Sequence, residues 1–278
     1  MKRRTPHCLS SLVVPCAPGW PKDDRMTLID TSSVPHDWLY PASLQAASQI
    51  QREMARQVVR EDALGPVSTL AGVDTSMKWR DTTGPIHAAI VLLDWPSLAL
   101  RTSAALSAPS PIPYVPGYLG FRECPSLVGA YAQLPAVPDI IFVDGHGISH
   151  PRGLGIASHL GVLLDRPTIG VAKSILVGEP LGPLGEEPGD RTPLVWKGET
   201  IAMVLRTRRR ARPLYISTGH RVSLETAVSW VMQATRGYRL PEPTRLAHEA
   251  ANAHRRRQVA LEGGPDAAVL PLEDEADL

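Results

Sequence analysis

Asp144 ends the run Pro-Asp-Ile-Ile-Phe-Val-Asp and is followed at once by Gly145, His146 and Gly147, with His150 close behind. Four consecutive apolar residues, 140–143, predict a strand buried on both faces, which leaves the carboxylate at the rim of a sheet. Glycines on either side of His146 let another backbone or a phosphate come close. Metal and phosphate sites are built on such rims; the simpler reading is a tight strand-to-helix turn with an aspartate cap. Asp74 has the same setting in Leu-Ala-Gly-Val-Asp-Thr-Ser-Met-Lys, where an unpaired charge would be costly to bury. Two such acids on neighbouring strands can share a hard divalent cation, Mg²⁺ above all, which takes a few carboxylate oxygens plus water and substrate phosphate. The alternative is that each aspartate caps its own turn.

A second cluster spans residues 111–125, where Tyr114 stands between Pro113 and Pro116 and Glu123 follows. Prolines fix φ and stiffen the loop, and a rigid loop with an aromatic tip can be driven between stacked bases. Tyr114 as a packed loop aromatic, and Glu123 paired with Arg122 or a distant lysine, are the plainer readings. Lys173, at the end of Thr-Ile-Gly-Val-Ala-Lys, emerges on the rim of Asp144 if the two strands are parallel neighbours, and a cation there can stabilise charge on a phosphoryl group. His248 lies in the last long helix, as a surface histidine or as a partner to a ligand. His146, His150 and His159 surround the glycine turn, but no His-x-x-x-His helix or cysteine supports zinc. The arginines at 206, 208, 209, 210 and 212 either grip a phosphate backbone or are solvated charge. The glycine spacing does not make a dinucleotide fingerprint.

The elements that must position these groups are read from pattern. A chain of 278 residues with 43% hydrophobic content buries one good-sized core, so one domain with tails is expected. A helix is expected over 41–61, then strands at 69–78, 87–94 and 98–107 joined by links short enough for an antiparallel meander. From there the pattern alternates: a helix at 126–134, the strand ending at Asp144, a helix at 153–163 and a strand at 168–172, which calls for parallel pairing. A hairpin at 194–206 around Lys197-Gly198, a strand at 214–217 and helices at 224–235 and 242–258 complete the body. The expected fold is an α/β mixed sheet, a three-stranded antiparallel ribbon whose first strand lies beside a parallel strand, with helices on both faces.

The net charge of +1 hides an asymmetry: residues 262–278 carry six acids and no Lys or Arg, so residues 1–261 carry about +7. A mildly basic body permits a phosphate-rich partner without demanding one. Cys8, Cys16 and Cys124 form no CxxC pair and no even set, which excludes a disulfide framework and points to a reducing cytoplasm. Residues 1–35 carry an apolar stretch broken by three prolines and are expected to be a disordered extension, with Met26 as an alternative start. Residues 36–260 are expected to be the catalytic domain and 261–278 a disordered acidic tail. No run of about 18 apolar residues occurs, so no membrane span is expected. A monomer is the default.

The ordered motifs AGVDTSMK, PYVPGYLGFRE, PDIIFVDGHGISHPRGLGIASHLG, TIGVAKS, PLYISTGHRVSLETA and PTRLAHEAAN resemble the endonuclease V family over residues 40–257. The resemblance implies a ribonuclease H-like fold, Mg²⁺ dependence with Mn²⁺ as a substitute, and nicking of DNA on the 3′ side of deaminated bases such as hypoxanthine, leaving a 3′-hydroxyl and a 5′-phosphate. It also implies roles: Asp74 and Asp144 as metal-binding acids, Glu123 as the third acid, Tyr114 as the wedge, Lys173 beside the scissile phosphate and His248 near the metal. Backbone groups from Gly145 through His146 to Gly147 would read the base edge. The departures are the N-terminal segment, Gly120 and Cys124 in the wedge motif, and the acidic tail. Competing readings are cleavage of inosine in RNA, a lesion-binding module that does not cut, and a small-molecule phosphatase; the last has no use for the Pro113 to Pro116 wedge.

Overall fold

The structure, a computed structural model, describes residues 29–78, 81–261 and 263. The element order is α1 (His36–Leu39), α2 (Leu44–Ala55), β1 (Thr69–Ser76), β2 (Ile86–Asp94), β3 (Leu100–Ala108), α3 (Leu119–Tyr131), β4 (Ile140–Asp144), α4 (Ile156–Leu164), β5 (Thr168–Ala172), β6 (Glu179–Pro180), β7 (Arg191–Trp196), β8 (Glu199–Leu205), β9 (Leu214–His220), α5 (Leu224–Gln233) and α6 (Glu242–Leu261). Most of residues 1–35, and the acidic tail apart from Leu261 and Gly263, lie outside the described residues; Ile29 and Val34 pack against the core.

The strands form one sheet in the order β3-β2-β1-β4-β5-β9-β8-β7-β6. β1, β2 and β3 are the expected antiparallel ribbon. β1 then runs parallel to β4, and β4 to β5, before β9 returns antiparallel. This mixed sheet with helices on both faces is the ribonuclease H-like arrangement.

Side chains alternate across a strand. Ala71, Val73, Ile141 and Val143 therefore enter the core beneath α3 and α4, while Leu70, Ile140, Phe142, Ile169 and Val171 enter the one beneath α5 and α6. Burying a side chain such as Phe142 stabilises the fold by about 2–3 kcal/mol, so each strand is locked to its register by both faces. Ser43 and Ser223 set the starts of α2 and α5, their hydroxyls accepting from the amides of Ala46 and Thr226.

Two boundaries differ from expectation in ways that matter to the site. α2 stops at Ala55, short of 61, and the chain that follows is pinned to β9, Arg221 donating its amide to the Val59 carbonyl at 2.7 Å. α3 begins at Leu119 rather than 126, so it carries Glu123 and holds Pro125 inside the helix. Gly120 and Pro125 look like loop punctuation, but a Cβ at Gly120 would stand 2.3 Å from His159 Nδ1. The glycine is there for the close packing of α3 on α4, and burial of most of α3 outweighs the hydrogen bond lost at Pro125.

Candidate active site

Strand parity decides which groups meet. Asp74 follows Leu70 and Gly72 on one face of β1, Asp144 follows Ile140 and Phe142 on the same face of β4, and Lys173 continues the row of Ile169 and Val171 on β5. Val73 is level with Val143 across the parallel β1–β4 pair, so the two aspartates lie side by side, Asp144 at the carboxyl end of β4 and Asp74 two residues before that of β1. Lys173 Nζ lies 2.7 Å from Asp144 Oδ2. α6 crosses this face, and His248 Nδ1 lies 2.7 Å from Asp74 Oδ2.

Asp74, Asp144 and His248 each offer a donor atom within 4.8 Å of the others, the only group of this kind among the described residues. Burial and the like charge of Asp144 push the Asp74 carboxyl above the usual range, against the pull of His248 and Lys173. The hydrogen bond to Asp74 in turn raises His248. Two carboxylates held together at such a cost are what a cation relieves. His248 has both ring nitrogens engaged, Nδ1 with Asp74 and Nε2 with Asn252 Nδ2 at 3.0 Å, which leaves carboxylate oxygens as the donors. An oxygen-only set fits a hard cation such as Mg²⁺ or Mn²⁺ better than zinc.

Glu123 reaches the rim from the opposite side of the sheet. It is buried on α3, hydrogen-bonded by Thr75, and pushed up to about 8, first by burial and then by the charges of Asp74 and Asp144. A carboxyl with that pKa is a proton donor or acceptor near neutral pH.

The Pro113 to Pro116 loop is anchored at both ends. Tyr114 is 51% exposed, with flanking prolines also exposed, and its amide donates to the Thr82 carbonyl at 3.0 Å. That carbonyl also accepts from Arg122, whose fully buried guanidinium bonds the Ile112 and Asp81 carbonyls as well. At the other end the Gly117 carbonyl, at φ +80°, accepts from Gln51, His150 and Arg152 at 2.9, 3.1 and 2.6 Å.

The glycine turn is more tightly occupied than expected. The Gly145 amide donates to the Val171 carbonyl and the Gly147 amide to Ser217 Oγ, so both amides are engaged within the fold. Gly147 has no room for a side chain, since a Cβ would stand 2.0 Å from the Thr218 carbonyl oxygen. His146 bonds Ser149 through Nδ1 and is held down to about 4 by burial, as are His150 and His159. These imidazoles are therefore neutral, and none of them belongs to the metal-holding group of Asp74, Asp144 and His248 found among the described residues.

The arginine run does not stand ready for a phosphate backbone along its length. Arg206 donates to the Gly185 carbonyl, while Arg209 pairs with Glu187 at 2.9 Å and Arg210 with Glu186 at 3.1 Å. Sequence reading missed Thr75, Asn252 and the clamping role of Arg122. Asn252 was legible in principle, four residues beyond His248 on one helix.

The profile of the endonuclease V family matches residues 52–249. Endonuclease V of Rhodospirillum centenum is 56% identical over 228 residues, 82% of this chain and 95% of that protein. Endonuclease V of Streptomyces avermitilis superposes with a TM-score of 0.74 at 34% identity, over 83% of this chain and 98% of that one. Endonuclease V of Ciona intestinalis, solved with a 24mer DNA containing an inosine followed by a ribo-adenosine, gives 0.67 at 26% identity, over 77% and 98%. A chain with this coverage, this sheet and these paired aspartates is a nuclease, and it belongs to the endonuclease V family.

Proposed function

We propose that the protein is a Mg²⁺-dependent endonuclease that nicks DNA on the 3′ side of deaminated bases, leaving a 3′-hydroxyl and a 5′-phosphate. The observation that carries this reading is the pair of aspartates side by side on β1 and β4, with Lys173 on one and His248 on the other. Asp74 and Asp144 would hold the cation, which supplies Lewis-acid chemistry at phosphorus when bound.

The chain's own residues do the rest. Lys173 sits beside Asp144, where its ammonium can stabilise charge on the phosphoryl oxygens. Glu123, protonated at neutral pH and held by Thr75, can exchange a proton with a water at the rim. Tyr114 projects from a loop stiffened by Pro113 and Pro116 and anchored by Arg122, so it can fill the gap left by an extruded nucleotide without collapsing. The Gly145, His146 and Gly147 turn would contact the extruded base through groups other than its two engaged glycine amides. A deaminated base pairs less well, so extruding it costs less, which supplies part of the selectivity.

Incubation with a duplex containing one deoxyinosine, with and without Mg²⁺, followed by mapping of the product ends, tests the reading. It predicts one nick 3′ to the lesion that requires the cation; intact duplex under both conditions rules it out. The Ciona relative was solved with a strand bearing a ribonucleotide after the inosine, which favours inosine in RNA as the second reading. Rates on matched deoxyinosine and inosine strands separate the two through the 2′-hydroxyl.

A further inference from the structure

A line of polar side chains runs from the aspartate pair along the seam between α6 and the ribbon. α6 contributes His248, Asn252 and Arg255, spaced to share one stripe of the helix, and β1 contributes Asp74 and Ser76 on one face. The links are Arg255 Nε to Ser76 Oγ at 2.7 Å, Ser76 Oγ to Asn252 Oδ1 at 2.6 Å, Asn252 Nδ2 to His248 Nε2 at 3.0 Å and His248 Nδ1 to Asp74 Oδ2 at 2.7 Å. Ser76 and Arg255 are only 7% and 6% exposed.

Donor accounting gives the line one direction. A guanidinium has no acceptor, so Ser76 Oγ accepts from Arg255 and its own proton goes to Asn252 Oδ1. The Asn252 carboxamide stands with its Nδ2 toward His248 Nε2, which accepts in the neutral ring. The other ring nitrogen then carries the proton and donates to Asp74. The neighbouring polar groups do not compete, because His87 Nδ1 and His254 Nε2 both bond Ser107 Oγ, at 2.8 and 2.9 Å.

We propose that Asn252, locked by Ser76 and Arg255, is a positioning residue of the nuclease centre that fixes the orientation of the His248 ring and, through it, the Asp74 carboxylate. Asp74 Oδ1 accepts from the Thr75 amide at 2.7 Å, so with His248 on Oδ2 the carboxylate is held from both sides. Groups that orient a ligand from behind typically change metal affinity or activity about 10–100-fold when removed. The functional half of this proposal rests on the nuclease reading; the orientation of the ring does not.

Two variants separate positioning from packing. Asn252→Asp keeps the shape and the acceptor for Ser76 but lacks the N–H toward His248, and Asn252→Leu lacks both. Both should bind Mn²⁺ about 10–100-fold more weakly in calorimetry without nucleic acid, with a similar fall in kcat on the deoxyinosine duplex. KM should stay within about threefold, since no substrate contact is removed. In the metal-free protein the ¹⁵N resonance of His248 Nε2 should shift in both variants. Asn252→Asp matching the wild type in Mn²⁺ affinity, kcat and ring resonance while Asn252→Leu alone falls would show a packing role and overturn the proposal. Should Asn252→Leu fail to fold, Asn252→Asp alone decides. A wild-type protein that neither binds Mn²⁺ nor nicks would overturn the nuclease reading instead, and an unmoved His248 resonance in Asn252→Asp would then still overturn the positioning role.

Discussion

Gly72 lies directly beneath Pro243: a Cβ at Gly72 would stand 1.8 Å from the Pro243 carbonyl oxygen. This contact sets how closely α6 approaches β1, two residues before Asp74 and five before His248, and so brings the imidazole within 2.7 Å of the carboxylate.

Gly72→Ala should therefore lift α6 off the sheet. Overpacking against backbone typically costs about 1–3 kcal/mol, occasionally more, and here the displaced helix carries His248 and Asn252 with it. Urea melts should show the loss, and nicking should fall further than the unfolded fraction explains. Unchanged activity in the folded fraction would mean that the α6 to β1 distance is not critical.

Asp144→Asn removes one of the two charges that make the rim a cation site. Mg²⁺-dependent nicking of a deoxyinosine duplex should drop by at least about a hundredfold, while duplex binding in a gel-shift assay stays close to wild type. Full retained activity would remove the paired aspartates from the chemistry.

Glu123 makes a pH-dependent contribution to stability. Its carboxyl titrates at about 8 in the fold against 4.5 for an ordinary glutamate, so between those values the native state holds a proton that the unfolded chain has released. The contribution is whole below 4.5 and is lost as pH rises through about 8, with a slope of at most about 1.4 kcal/mol per pH unit. Glu123→Gln cannot ionise. In chelator-treated protein its stability relative to wild type should rise steadily from acidic to mildly alkaline buffer in denaturant titrations. A pH-independent difference would contradict the burial that sets this carboxyl.

Tyr114→Ala should narrow the ratio of rates on lesion-bearing and undamaged duplex while leaving Mn²⁺ affinity in calorimetry unchanged. Equal discrimination in the variant would reassign Tyr114 to an idle loop aromatic.

Arg122 has a measurable role in holding that loop. Truncation to Met removes the buried donor that the Thr82, Ile112 and Asp81 carbonyls share, although Thr82 keeps the Tyr114 amide and Ile112 the Ser110 hydroxyl, and should cost about 1–3 kcal/mol. Hydrogen exchange at the Tyr114 amide, which donates to Thr82, should accelerate by more than the global stability loss accounts for. Equal protection in both proteins would show that the prolines alone fix the loop.

The amino-acid sequence by itself determined the alternation that puts Asp74, Asp144 and Lys173 on particular strand faces, the apolar runs of β4 and β5, and the ribbon of three strands joined by short links. Those are local signals, carried by a period of two and by turn residues close in the chain. Only the tertiary structure decided that β1 and β4, about seventy residues apart, pair in the register that sets the aspartates side by side. It decided equally that Glu123 belongs to a helix, because Gly120 and Pro125 read as breakers until α4 is packed against them, and that Asn252 stands behind His248. Close packing and buried hydrogen bonds depend on what arrives from elsewhere in the chain. A pattern that reports each residue's own neighbours contains no record of them.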